Sequence, residues 1–360
     1  MKKNKGLDIY FITGFMSNGG AERVISILSN AFVNNGYKVT VLAILGDDKD
    51  YYLDERVNYL PLECSNENKF QRVLSRLHFI RKNINKSENK VVISFMAQIN
   101  VYAIVANLFN RVNLVVSERN DPYQDPPSKM LRKLRDFLYN FVDQIVFQTP
   151  DAQKYFSEKI QRKSVLIANP ISNEIPKPFR GERKKVIVTA ARLDEQKNLK
   201  LLIDAFNLIR KEYSEYKLQI FGEGPLEKEL KSYTVKLGLE KYVIFSGYSK
   251  QLHKDIIDAS IFVLSSNYEG ISNSLIEALA LGIPVISTDH PIGGARMYIK
   301  SGYNGMLTPV GDTEALYKSL KNYIENPYIA EEYGKNATKI RSDLEVNKII
   351  KEWESLLTQK

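Results

Sequence analysis

The sequence predicts an α/β protein made of two doubly wound parallel-sheet domains. Short apolar runs alternate with stretches of helical period along the chain, the pattern of repeated strand–helix units. At 360 residues the chain has the length for two full hydrophobic cores. Residues 169–183 (NPISNEIPKPFRGER) concentrate Pro, Gly and charge near the middle, and the alternation restarts beyond them. The division therefore falls into residues 1–172 and 173–342. The last stretch, 343–360, has no strand of its own, and periodicity leaves its partner domain open.

In the first half, residues 8–13 (DIYFIT) read as a strand, 14–20 (GFMSNGG) as a flexible loop and 21–35 as an amphipathic helix. Gly19 and Gly20 permit close approach of a ligand to the backbone, although their spacing is not a full dinucleotide fingerprint. Residues 38–45 form the next strand. Asp48 and Asp50 after it make a DxD pattern, which reads as a charged turn because nothing else metal-like lies nearby. Residues 69–86 and 129–141 are basic amphipathic helices, the first with Phe70, Val73, Leu74, Leu77 and Ile80 on one face. They suit either ordinary packed helices with a solvated charged face or docking on an anionic membrane surface. Strands at 91–95, 113–118, 144–148 and 164–168, with a helix over 99–109, complete the domain. Glu118, Arg119 and Asn120 lie at the carboxyl end of the 113–118 strand, where open α/β sheets bind ligands; the alternative is a turn set by Asn120, Asp121 and Pro122.

In the second half, strands are expected at 185–190, 217–221, 243–246, 261–264, 284–287 and 305–307, with helices over 198–213, 226–237 and 251–259 and a helical tail from Asp312. The richest stretch is 261–281 (IFVLSSNYEGISNSLIEALAL), a strand, a polar loop and a helix. The backbone N–H groups around Ser272, Asn273 and Ser274 open that helix and suit a phosphate. Glu269 and Glu277 flank them and are suited to accept from sugar hydroxyls, as the acidic residue of a dinucleotide site does; a solvated loop and a surface helix are the other reading. Arg192 and Lys197 bracket the loop after the first strand of this domain and can hold a diphosphate, one as a planar fork and the other as a point charge. Gly222 to Pro225 and Phe245 to Tyr248 are further loops at strand ends, and the second can take a flat base.

Composition narrows the class. The chain is 44% hydrophobic and 26% charged, as globular proteins are. Its one cysteine, Cys64, excludes an internal disulfide and fits a reducing compartment. No apolar run approaches the ~20 residues of a membrane span. The start moves straight into a strand pattern and is not read as a signal peptide. The net charge of +9 is uneven, since residues 1–172 carry 24 Lys+Arg against 17 Asp+Glu. Such a bias serves nucleic acid, an anionic membrane or an anionic substrate, but no nucleic-acid-reading motif is present.

Taken in order, these motifs resemble the GT-B glycosyltransferases of family 4. The resemblance rests on Gly19-Gly20-Ala21-Glu22-Arg23, Asn169-Pro170-Ile171, Arg192 with Lys197, Gly222-Glu223-Gly224-Pro225, Phe245-Ser246-Gly247-Tyr248 and the Glu269…Glu277 pair, and spans nearly the whole chain. It implies two Rossmann-like domains facing a cleft, the acceptor in the first and the nucleotide sugar in the second, with 343–360 crossing back to the first. It implies a retaining, metal-independent transfer of a hexose or N-acetylhexosamine from a UDP-sugar. No cofactor is needed, because the UDP-sugar is a co-substrate. Glu269, Arg192 and Lys197 are the implied catalytic residues. Gly19, Gly20, Gly222, Tyr248, Gly270, Ile271, Ser272, Asn273, Ser274, Leu275 and Glu277 join them around the donor. Glu118, Arg119 and Asn120 lie on the acceptor side.

One departure stands out. Many members place His where this chain has Arg119, after Ser117 and Glu118. A guanidinium stays charged and cannot act as a general base, but it can contact a phosphate or an anionic acceptor. The expected enzyme works in the cytoplasm, peripherally on the inner face of the plasma membrane, on a lipid-linked glycan of a surface polysaccharide such as lipopolysaccharide or capsule. A nucleotide-sugar epimerase and a non-catalytic nucleotide-sugar-binding module of the same fold are the rival readings.

Overall fold

Strands that lie under helices on both faces need apolar side chains in succession rather than in alternation, and the chain supplies them twice. The computed structural model describes residues 6–358 except 18, 64–67, 85–88, 109 and 111. Cys64, Lys86 and Phe109, and the terminal residues at either end, lie outside the described residues. Backbone contacts divide the chain into two units, Met1–Ser172 with Glu345–Lys360, and Asn173–Leu344.

The first unit holds β1 (Asp8–Thr13), β2 (Lys38–Ala43), β3 (Asn58–Pro61), β4 (Lys90–Phe95), β5 (Asn113–Ser117), β6 (Gln144–Phe147) and β7 (Ser164–Leu166). They form one sheet in the order β3-β2-β1-β4-β5-β6-β7, every pair parallel. Ile9, Phe11, Ile12, Val92 and Ile93 are fully buried in it. Strand β3 has no counterpart in the sequence reading. It is short and at the edge and ends on Pro61, a residue the interior of a sheet would not accept. The order reverses between β1 and β4, which opens the carboxyl ends there to a ligand. Helix Val346–Thr358 belongs to this unit: Trp353 is fully buried, its ring stacked 5.9 Å from that of Phe95.

The two basic helices differ from their expected packing. Helix Lys69–Asn83 begins with a capping box between Asn68 and Gln71 but buries only Ile80. Phe70 is 71% exposed and Leu74 50%. Helix Lys129–Leu138 is inverted. Its Arg135 is fully buried and donates to the Pro122 carbonyl at 3.0 Å and to that of Asp125, while Met130 is 76% and Phe137 61% exposed. The guanidinium satisfies loop carbonyls that no aliphatic side chain could satisfy, so it takes the inner face.

The second unit holds β8 (Lys184–Ala190), β9 (Lys217–Phe221), β10 (Val243–Gly247), β11 (Ala259–Leu264), β12 (Val285–Thr288) and β13 (Met306–Thr308) in the order β10-β9-β8-β11-β12-β13, again all parallel. Its core joins Ile187, Leu202, Phe206, Leu218, Val263 and Leu320. The order reverses between β8 and β11, so the loop after β8, with Arg192 and Lys197, and the loop after β11, with Glu269, lie side by side. The helical tail expected from Asp312 consists of four helices: Thr313–Glu325, Pro327–Ala337, Ile340–Asp343 and Val346–Thr358. Pro327 starts the second, as proline does at a first helical position.

Candidate active site

Glu269 is the most heavily held side chain at the reversal of the second sheet. One carboxylate oxygen, Oε1, accepts from Lys197 Nζ and, at 2.7 Å, from Ser266 Oγ; Oε2 accepts from Gln196 Nε2 at 3.1 Å. The Lys197 and Glu269 side chains are only 18% and 7% exposed. A buried carboxylate with three donors is fixed in place. Ser265 Oγ also donates to the Lys197 carbonyl at 2.9 Å, and Asn267 donates to that of Glu195, so the two loops are stitched together.

The other glutamate is positioned separately. Glu277 is buried on helix Asn273–Ala280, and its Oε2 lies 3.0 Å from His253 Nε2 on helix Leu252–Ile256. Ser272 precedes that helix and its side chain caps none of the first-turn amides. The N–H groups of Ser274 and Leu275 thus open the helix without a side-chain oxygen over them. Arg192 is 72% exposed, its Nε donating to Asp194 at 2.6 Å.

Glycines set how closely the loops meet. Gly222 has φ +118°, and a Cβ there would come 2.0 Å from the Ala191 carbonyl oxygen. A Cβ on Gly224 would meet Leu193 backbone at 2.4 Å. Gly222 therefore serves loop-to-loop packing; in this structure its bareness is filled by protein. A Cβ on Gly294 would stand 1.8 Å from the carbonyl oxygen of Gly270, so the 290–294 segment clamps the Glu269 loop from the other side. His290 in that segment is fully buried. Its Nδ1 lies 3.2 Å from the Pro291 carbonyl, which only accepts, so Nδ1 carries the proton and Nε2 presents a lone pair with no partner among the described residues. Burial pushes its pKa down, against the pull of Glu269. Tyr248 lines an open pocket of about 760 Å³ with Gln219, Ser246, Lys250, Gln251 and Lys254.

In the first unit, Gly19 precedes helix Gly20–Asn34, and a Cβ there would fall 1.8 Å from a Glu22 carboxylate oxygen. The chain's own carboxylate thus folds back over that helix start, and burial pushes its pKa up to about 7. Glu118 lies inside the first unit. It is buried, held by Tyr139 at 2.9 Å and by Arg135 at 3.6 Å, with burial raising its pKa to about 7. Its Oε2 supports the inverted helix, while its Oε1 is buried and accepts from nothing among the described residues. Among the described residues no three His, Cys, Asp or Glu side chains converge to hold a metal.

Two family models match adjoining parts of the chain, together spanning residues 18–340. Glycosyltransferase Family 4 covers residues 18–174 and Glycosyl transferases group 1 covers residues 171–340. The chain is a group 1 glycosyltransferase. It is similar to an undecaprenol-diphosphate-glycan N-acetylgalactosaminyltransferase of Campylobacter jejuni, 28% identical over 98% of this chain and 99% of the relative. It is also similar to the amylovoran biosynthesis glycosyltransferase AmsD of Erwinia amylovora, 25% identical over 97% of this chain and 99% of that one. The solved structure of Anabaena HepE in complex with UDP and glucose superposes with a TM-score of 0.83 at 18% identity, covering 98% of this chain and 100% of HepE. The glycosyltransferase has the GT-B fold.

In this glycosyltransferase the structure brings Arg192, Lys197, Gly222, Tyr248 and the stretch from Glu269 to Glu277 into the second unit, and leaves Gly19, Gly20, Arg119 and Asn120 in the first. Sequence reasoning missed the supporting side chains. Ser266 and Gln196 carried faint signals, being three residues before Glu269 and next to Lys197. His253 carried none, because its helix follows a different strand.

Proposed function

We propose that this glycosyltransferase moves a hexose or N-acetylhexosamine from a UDP-sugar to a lipid-linked glycan with retention of configuration and without a metal. The observation that carries the reading is the buried Lys197–Glu269 pair beside the uncapped start of helix Asn273–Ala280. The amides near Ser274 and Leu275, with Arg192 and Lys197, hold the diphosphate. Glu277 accepts from the ribose hydroxyls and Glu269 faces the donor sugar. Gly270, Ile271, Ser272 and Asn273 wrap the donor, and the Tyr248 pocket takes the base. Fixed cations and a helix start stabilise the departing diphosphate, the work a metal does elsewhere. The bond between the anomeric carbon and the phosphate oxygen breaks, the acceptor hydroxyl bonds to that carbon on the same face, and its proton passes to a phosphate oxygen of UDP. No protein base is required.

The acceptor belongs to the first unit. The N-acetylgalactosaminyltransferase relative is named for an undecaprenol-diphosphate glycan, which supports a lipid-linked acceptor. Exposed Met130, Leu134, Phe137, Phe70 and Leu74, beside exposed Lys129, Lys133, Lys69 and Arg72, fit an anionic membrane surface. The test is nucleotide release across UDP-, GDP- and ADP-sugars, with EDTA and with lipid-diphosphate glycans. UDP release from one donor, unchanged by EDTA and raised by acceptor, is expected. Release that EDTA abolishes, or none with any UDP-sugar, overturns the reading.

A further inference from the structure

Among the described residues, no acidic side chain forms an ion pair with Arg119. Its Nη1 donates to Asn169 Oδ1 at 2.8 Å, and that same oxygen accepts from Gln148 Nε2 at 2.6 Å. The guanidinium carbon stands 3.8 Å over the Phe95 ring and 5.9 Å from the ring of Trp353. Its Nε and Nη2 are enclosed and donate to nothing, although the residue as a whole is only half-buried. The neighbouring Glu118 gives its Oε2 to Tyr139 and Arg135, and among the described residues its Oε1 reaches no donor. Burial alone displaces its pKa, down to about 9, so it remains charged at neutral pH.

An enclosed guanidinium with two idle donors is expensive unless an anion completes it. Nε and Nη2 together form one edge of the planar fork, spaced for two oxygens of a single group. The other three contacts already fix the plane: Asn169 holds the far nitrogen, and Phe95 and Trp353 hold the face. Arg119, Gln148 and Asn169 follow β5, β6 and β7 and so gather at the carboxyl ends of adjacent strands. With one cation and two neutral amides, the site matches one negative charge.

We propose that this edge is a subsite for a singly charged, two-oxygen group on the acceptor, either one phosphoryl of a diphosphate diester or a sugar carboxylate. Placing that group on the acceptor rests on the glycosyltransferase reading above; the anion site itself does not.

Trp353 is the only tryptophan of the chain, so its emission reports on the site. The purified full chain is titrated with dimethyl phosphate, methyl glucuronide and neutral methyl glucoside at constant ionic strength. A saturable change with dimethyl phosphate supports the phosphoryl form, and one with methyl glucuronide the carboxylate form. Arg119→Met is expected to weaken it roughly tenfold to a hundredfold, the worth of a charge-assisted pair. Arg119→Lys, which keeps the charge without the fork, is expected to weaken it less. No saturable response to either anion in the unmodified protein overturns the proposal without recourse to a variant. So does an equal response to methyl glucoside, or an unchanged response in Arg119→Met. UDP binding measured by calorimetry on the same samples separates the two readings: lost UDP binding with a retained anion response removes the donor site and leaves this one.

Discussion

Lys197 and Glu269 are joined directly by a hydrogen-bonded ion pair although they stand 72 positions apart in the sequence. The loops after β8 and β11 meet only because those strands are neighbours at the reversal of the sheet. The pair is both a strut between two loops and the centre of the proposed donor site, and these roles separate experimentally. Glu269→Gln is expected to keep UDP binding and abolish transfer. Lys197→Met leaves a buried carboxylate unpaired and should lower stability by about 3–5 kcal/mol and kcat by on the order of 10²-fold or more. The double variant should recover stability but not activity, read by urea unfolding and UDP release. Recovery of activity along with stability would mean the pair is only a strut.

His253 orients Glu277 from 3.0 Å. His253→Leu should weaken UDP binding about tenfold, near 1.4 kcal/mol, with little change in turnover at saturating donor. Calorimetry against UDP and against inorganic diphosphate checks it: only the nucleoside-bearing ligand should lose affinity.

Gly294→Ala puts a methyl 1.8 Å from the Gly270 carbonyl oxygen if nothing moves. Backbone faces backbone, so the Glu269 loop must shift. Activity should fall by on the order of 10²-fold, as small misplacements of reacting groups do, with the melting temperature lowered. Gly238→Ala, where φ is +68° but the space is open, is the control: it should affect stability and leave kinetics alone.

Glu22 and Glu118 make folding pH-dependent in the same direction. Burial raises the pKa of each from 4.5 to about 7. The folded chain therefore binds more protons than the unfolded chain between those values. Their stabilising contribution is full below about pH 4.5 and is lost as pH rises through 7. For Glu22 this amounts to no more than about 3 kcal/mol. Glu22→Gln should flatten the fall in urea midpoint between pH 5 and pH 8, and an unaltered slope would contradict the assignment.

Replacing Met130 and Phe137 together by Ser should remove most binding to phosphatidylglycerol vesicles in sedimentation, since each buried side chain contributes about 1.5–3 kcal/mol. Activity on a water-soluble acceptor analogue should persist. Equal sedimentation of the variant would detach this helix from the membrane.

Strand-rich segments such as DIYFIT and KLQIF could be read as strands because buried parallel strands need unbroken apolar runs, and local sequence states that need. The strand, loop and helix of the 261–281 stretch were readable for the same reason: turn chemistry and helix starts are local. Edge strand β3 was not, because an exposed edge imposes no apolar run. Helix Lys129–Leu138 shows the limit more sharply. Its spacing showed two faces, but which face lies inward depends on the carbonyls of Pro122 and Asp125 beside it, and these select Arg135 over Phe137.

The sequence by itself determined the α/β class and its two-domain organisation, and marked Arg192, Lys197, Glu269 and Glu277 as candidates for a phosphate-and-hydroxyl set. Only the tertiary structure decided that Lys197 grips Glu269, that His253 and Ser266 support the two carboxylates, that Glu118 is interior and that Arg119 keeps an idle edge. The physical reason is separation along the chain. Helix, strand and turn preferences act over a few residues, whereas these pairings arise from strand order, and strand order is fixed by packing of the whole sheet.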